Sequence, residues 1–574
     1  MSDYDLVIRH GTILDGSGGA PFEADLAIAG GRIAAIGRGL GAGVEEIEAR
    51  GRLVTPGFVD VHTHYDGQAS WGQHLTPSTD HGVTTLAIGN CGVGFAPCRK
   101  SDRAMLLRLM EGVEDSPGIV LAEGVPFAWE SYPQYLDFLG ARSFDADIAS
   151  YLPHAALRAH AMGERAGTGE APAADELEVM RKLLAEAMAV GSLGLSSSQT
   201  SFHRSADGTP SPTLAAGEAE YGALADVLRD AGGGLMQFAL EWVPGWEEKL
   251  AMLGRLARRS GRPVSLALTQ SHPAPDVWPR VLRFIEERNA EGLSLSAQVL
   301  SRPLGLLLGL ELSLHPFYTT PTCRALAHLP HAELLAALRD PAVKARVLAE
   351  ANDPDPVAKL GQRVRDFGQL YPIGDPPDYE PPPERSVAAM AAARGMAPES
   401  LAYDMMLEEE GRAILYLAFS NYADRNLEPT RAMLAHGATV PGLGDGGAHL
   451  GTICDASSFT YALTHWGRDR TRGEKLPLPL LVRFLTRRGA ELLGLRDRGL
   501  LAMGYRADVN VIDFERLSIG KPFIRRDLPA GGRRLLQASR GYDATILNGV
   551  VVRRDGVPTG ALPGRLVRGA RQDG

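Results

Sequence analysis

The chain has 574 residues, 44% hydrophobic and 22% charged, an ordinary composition for a soluble globular protein and too long for one average domain. A formal net charge of −10 excludes a broad basic face for nucleic acid or anionic membrane. Four cysteines make no disulfide framework, the opening residues have no continuous apolar segment of a secretory signal, and the most apolar run, 304–314, is far shorter than the ~20 residues of a membrane helix, so a cytoplasmic protein is expected.

Taken in order, residues 5–11 and 24–37 are short β-rich runs punctuated by glycine turns, and residues 507–513 and 544–552 repeat the style near the other end. Asn548-Gly549 is a two-residue hairpin dipeptide, since both residues tolerate positive φ. Short strands gain by covering one another's edges, so one small β-sandwich is expected from 1–56 and 497–574. Between them, near-continuous apolar runs at 53–61, 83–89, 191–197, 234–240, 263–269, 293–299 and 440–444 alternate with helical stretches such as 177–189 and 219–229. Strands of that kind are covered on both faces, which points to an α/β fold with parallel strands. Their number approaches the eight of a (β/α)8 TIM-type barrel, expected over 57–496, whose chemistry sits at the C-terminal strand ends. Residues 300–400 fit the barrel poorly. A long helical stretch at 324–351 is followed by a proline-dense loop at 371–383, and an insertion covering the barrel mouth is expected.

The residues after the strand-like runs are the chemical candidates. In His62-Thr63-His64 the two imidazoles lie two apart on an extended chain and so share a face, as one zinc-like ion requires. The pattern alone also suits two hydrogen-bonded histidines, but the apolar run before it and Asp66 after it favour metal. Cys91 follows the next run among glycines, where it reads equally as a small buried hydrophobe or as a thiolate ligand. Cys98, Cys323 and Cys454 have no such setting and read as packing residues. Asp445 ends the last run. It reads either as a turn aspartate or as a carboxylate that takes a proton from a metal-activated water and hands it to a leaving amine. His449, four residues on, is a candidate substrate contact or structural residue.

With these pieces in this order the chain resembles the amidohydrolase superfamily, in its N-acyl-D-amino-acid deacylase (D-aminoacylase-like) branch. The likeness runs from the opening 5–16 segment through 56–67, Gly82-Val83-Thr84-Thr85 and 89–97 to 547–552 and Pro563-Gly564-Arg565. It implies a barrel with a terminal β-sandwich, metal ligation by His62 and His64, and Asp445 as catalytic acid/base. It also implies a metal-ligand role for Cys91 in place of the carboxylated lysine of other branches. Two positions depart from the branch. Gln237 and Gln270 stand where histidines after the fifth and sixth strands are usual, and an amide oxygen is a poorer zinc ligand than imidazole. His272 lies two residues beyond Gln270, on the same face, and could substitute for it or contact substrate. One zinc ion is therefore preferred over two.

The resemblance implies a small-molecule amide as substrate, an N-acyl-amino acid, whose carboxylate needs a cationic partner; Arg204, Arg302 and His272 are the candidates. A cyclic amide or ureide hydrolase on the same fold and a degenerate, non-catalytic relative are the alternatives. A homo-oligomer is left open, and neither nucleic acid nor membrane is expected as a partner.

Overall fold

Apolar runs buried on both faces become the staves of a parallel barrel. The computed structural model describes residues 3–351 and 363–569, and in it the staves are β1 (Phe58–Asp60), β2 (Val83–Ile88), β3 (Asp147–Ser150), β4 (Gly194–Gln199), β5 (Leu235–Leu240), β6 (Val264–Ala267), β7 (Leu295–Val299) and β8 (Thr439–Pro441). β1, β2 and β3 pair in parallel, and Leu152–Pro153, just beyond β3, begins the second run through β4 to β8. The ring closes where Thr63 bridges Gly446 and the His64 N–H donates to the Gly446 carbonyl at 2.8 Å. That closure sets the segment after β1 beside the segment after β8.

Seven of the staves match the apolar runs; β3 has no counterpart among them. Its sequence carries Asp147, fully buried and paired with Arg498 Nη1 at 2.8 Å and Arg506 Nη2 at 2.9 Å. A buried carboxylate breaks an apolar pattern, and its partners lie some 350 residues away. Removing one partner of such a buried pair costs about 3–5 kcal/mol. The run at 53–61 in turn divides between two sheets: Leu53–Pro56 joins the terminal sheet, and β1 begins after Gly57. A side chain at Gly57 would meet Thr84 Oγ1 at 2.1 Å, so only glycine lets the chain pass between the sheets.

Both ends of the chain meet in one nine-stranded sheet. Leu53–Pro56 is its seam, with Tyr4–Ile13 on one side in parallel and Val509–Ile512 on the other in antiparallel register, Val54 opposite Val511. Leu6, Ile8, Leu26, Val54, Val509 and Ile546 fill its core. The C-terminal segment is not confined to this sheet. Phe523–Arg526 and Arg533–Leu536 form a hairpin that docks on the loop after β8, the Leu535 N–H donating to the Leu450 carbonyl at 2.8 Å. Further on, Gly564 and Leu566 bridge to Phe144 and Ile148, at and just before β3.

The insertion between β7 and β8 has a core of its own, around Leu306, Phe317, Leu338, Val347, Tyr403 and Leu417, under a three-stranded antiparallel sheet with Leu415–Ala418 in the middle. The single helix expected over 324–351 is instead a set of short ones. Pro321–Leu326, His331–Leu338 and Pro341–Ala349 follow one another, because Pro330 and Pro341 each start a helix rather than continue one. The proline-dense loop contributes the edge strand Leu370–Pro372 and otherwise irregular chain. Residues 352–362 of the expected insertion lie outside the described residues. Among the described residues no helix is long and apolar enough to cross a membrane.

Candidate metal centre

β1 ends at Asp60, whose carboxylate accepts the His62 N–H at 3.1 Å and so turns the chain inward. His62 and His64 then face each other with ring centroids 5.4 Å apart. β2 ends in a tight turn in which Cys91 holds φ +56°, and the loop after β8 sets Asp445 at φ +46° and His449 at φ +51°. Left-handed backbone at residues other than glycine is strained, and it gathers at functional sites. Here it aims Cys91 and Asp445 at one point and turns His449 toward Glu114. Cys91 Sγ lies 3.2 Å from His62 Nε2, and Asp445 Oδ1 lies 3.4 Å from His62 Nε2 and 3.7 Å from His64 Nε2.

Candidate ligand atoms of His62, His64 and Cys91 all fall within 4.8 Å of one another, and all three residues are buried. Asp445 Oδ1 is buried without a hydrogen-bond donor. Two imidazoles, a thiol and an orphaned carboxylate oxygen around one point fit a zinc-type cation. His62 is also turned correctly for that role. Gln298 Oε1, at the end of β7, accepts from its Nδ1 at 2.6 Å, which leaves the Nε2 lone pair facing the cluster.

The electrostatics follow from burial and close company. Burial pushes the His62 imidazole down to about 4, although Asp445 pulls the other way. Burial also opposes charge on His64, but Glu114, Asp445 and Cys91 outweigh it and hold that ring well above the usual histidine value. The Asp445 carboxyl, equally buried, is held far below the ordinary carboxylate range by His64 and His62. Burial pushes the Cys91 thiol up to about 11, so a cation arriving there must displace a proton.

The remaining candidates lie elsewhere in the site or outside it. Gln237 Oε1 accepts the Cys91 N–H at 3.0 Å, so its amide props a ligand-bearing turn. Gln270 is held at both ends, its Nε2 donating to Asp424 at 2.7 Å and its Oε1 accepting the Ala423 N–H at 3.1 Å. His272 does not join the metal cluster; it sits against Arg363 and the Ala418 carbonyl at the insertion, and burial pushes it down to about 4. His449 meets Glu114 instead of the cluster, with Nε2 3.5 Å from Oε2.

Two of the cations expected to hold a substrate carboxylate are otherwise engaged. Arg204 donates to the Ser201 and Gly208 carbonyls of its own loop. Arg302 is fully buried, its Nη2 bound to the Cys454 carbonyl and to Asp455 Oδ1 at 2.6 Å, with its plane over the Tyr379 ring. Neither has the free fork that bidentate carboxylate recognition needs.

Three residues of the site were not singled out from the sequence. Gln298 could have been, since it ends a strand. Glu114 ends a helix, Arg103–Glu114, and becomes relevant only because the loop after β8 folds onto it. His203, held by Ser198 Oγ at 2.8 Å and pushed down to about 3 by burial and by His449, lies in a loop with no local pattern.

A family model described as the amidohydrolase family matches residues 45–553. An N-acyl-D-glutamate deacylase of Alcaligenes xylosoxydans xylosoxydans is 25% identical over 575 residues, covering 98% of this chain and 96% of its own length. A D-aminoacylase of the same organism is 36% identical over 196 residues, 34% of this chain and 37% of that one. Among solved structures, the Bordetella bronchiseptica N-acyl-D-glutamate deacylase complexed with zinc and a phosphonate inhibitor superposes with a TM-score of 0.65 at 23% identity, covering 98% of this chain and 99% of that one, a likeness of fold.

Proposed function

The chain belongs to the amidohydrolase family, and we propose that it hydrolyses the acyl–nitrogen bond of N-acyl-D-amino acids around one metal ion held by His62, His64, Cys91 and Asp445. The observation that carries this reading is the meeting of His62 Nε2, Cys91 Sγ and the unpartnered Asp445 Oδ1 at one buried point. The D-amino-acid class is supported by the deacylase relative that spans nearly the whole chain.

A thiolate with two imidazoles favours zinc over harder cations. Bound there, zinc supplies the charge that acidifies a water and polarises an amide carbonyl. Asp445 accepts the proton of the attacking water and returns it to the departing nitrogen. Gln298 fixes the His62 tautomer, and the walls around the cluster are buried, so bulk water is kept from the reacting amide. A single ion is favoured because Gln237 and Gln270 spend their amide oxygens on the Cys91 and Ala423 N–H groups. All four cysteines are free, which suits a reducing compartment, and we place the enzyme in the cytoplasm.

The test is hydrolysis of a panel of N-acyl-D-amino acids, N-acyl-L-amino acids and cyclic ureides, with zinc measured on the same protein. Release of free D-amino acid with about one zinc per chain is expected. Turnover confined to L-forms or ring substrates would overturn the substrate class, and protein that takes up no zinc would overturn the centre itself.

A further inference from the structure

Glu114 and Asp115 end the helix that follows the Cys91 turn, and neither has a part in the reaction as described. Glu114 is buried and Asp115 half-buried, among polar groups of three different segments. Glu114 Oε1 lies 3.3 Å from His64 Nδ1, and Glu114 Oε2 lies 3.5 Å from His449 Nε2. The Glu114 backbone carbonyl also accepts the His449 N–H. Asp115, with φ +46°, reaches the other way. Its Oδ2 accepts from the Gly451 N–H at 3.2 Å and the Thr452 hydroxyl at 3.1 Å, and its Oδ1 accepts from Ser313 Oγ, on the insertion, at 2.9 Å. Gly451 leaves no room for a side chain on this seam, since a Cβ would meet Ser313 Oγ at 2.1 Å.

We propose that Glu114-Asp115 is a positioning pair that holds the metal ligand His64, the Asp445 loop and the insertion in one register. The inference rests on the metal centre proposed above. A metal-binding histidine is oriented by whatever its other ring nitrogen faces, commonly a carboxylate, and loss of that partner costs 10–100-fold in metal affinity. His62 has Gln298 in that place, hydrogen-bonded at 2.6 Å; His64 has the Glu114 carboxylate at 3.3 Å, an ion-pair contact without a hydrogen bond. Asp115 does the same service for the backbone. Three donors from residues 313, 451 and 452 converge on one carboxylate, and the loop they pin carries Asp445 six residues before Gly451. Neither residue touches substrate in this scheme, and each acts through its neighbour.

The two halves of the pair separate experimentally. Glu114→Gln keeps size and shape and removes the charge facing His64. Zinc affinity, measured by chelator competition, should fall about 10–100-fold, and the visible absorption bands of the Co²⁺-loaded protein should shift. Asp115→Asn tolerates the left-handed backbone and loses an acceptor oxygen. It should lower kcat about tenfold and, because the loop it pins carries the ligand Asp445, weaken zinc binding by less than Glu114→Gln does, and Ser313→Ala should reproduce a smaller part of the kcat loss. Where Glu114→Gln does not fold, Glu114→Asp, which keeps the charge and withdraws it by one methylene, should show the same spectral shift. Parent protein that binds zinc beside a folded Glu114 variant with unchanged affinity and spectrum would overturn the proposal while leaving the metal centre standing. An Asp115→Asn variant with parental kcat would overturn its second half.

Discussion

The strand ends on the two sides of the barrel mouth are built alike and equipped differently. After β1 and β2 the chain presents His62, His64 and Cys91, whose donor atoms cluster around one point. Inside β5 and just beyond β6 it presents Gln237 and Gln270, whose amides are tied to protein groups, Gln237 to the Cys91 turn and Gln270 to the loop at 421–424. A polar side chain on or just beyond a stave is therefore not a ligand by position alone. An imidazole has one lone pair to give and a second nitrogen to be oriented by, whereas a primary amide both donates and accepts, and the protein satisfies it with its own backbone. One half of the rim is equipped to grip a cation and the other to brace loops.

The largest expected effect breaks the gripping half. Asp445→Asn keeps the shape and removes the proton acceptor, so kcat should fall by about 10²–10⁴, the range that acid–base catalysis contributes, as measured on whichever substrate the panel identifies. Cys91→Ser exchanges the soft ligand for a hard one. Zinc affinity by chelator competition should drop by at least about 100-fold, beyond the cost of losing a mere orienting partner. Parental affinity in that variant would place Cys91 with the bracing residues.

A smaller effect is expected from converting the bracing half. Gln237→His with Gln270→His offers imidazoles where amides now stand, and the metal content of the double variant should rise above that of the parent. The exchange at Gln270 should also cost stability, about 1–3 kcal/mol in a denaturant titration, because Asp424 and the Ala423 N–H lose their partners. Unchanged metal content would show that the second half lacks room as well as ligands.

The smallest effect concerns an imidazole that serves neither purpose. His81 is buried between Thr460 Oγ1 at 2.8 Å and the Gln537 carbonyl at 3.0 Å, and burial pushes it down to about 3. The unfolded chain takes up a proton there near pH 6.5, and the folded chain does not until about pH 3. Its contribution to stability is thus fully present above pH 6.5 and is lost as pH falls below it, by up to about 1.4 kcal/mol per pH unit. His81→Gln should flatten the fall of Tm between pH 7 and pH 5 relative to the parent, and an equal slope in both proteins would contradict the burial argument.

What could be read from the sequence was whatever depends on neighbours a few residues away. Seven staves declared themselves as near-continuous apolar runs, and His62, His64, Cys91 and Asp445 stood after such runs, so a barrel rim bearing a candidate metal centre was legible before any coordinates. The proline positions were equally legible, yet Pro330 and Pro341 mark helix starts that a periodicity reading ran together. Tertiary structure alone decided the rest. β3 was hidden because its buried Asp147 is neutralised by Arg498 and Arg506 from the far end of the chain. Gln298 reaches His62 across 236 residues, and Glu114 finds His449 only when the loop after β8 folds onto its helix. Arg302, a plausible substrate cation in sequence, is consumed by Asp455 from 153 residues on. The division follows from range. Apolar periodicity is a local property of the chain, while the partner that satisfies a buried charge or orients an imidazole is chosen by closure of the barrel.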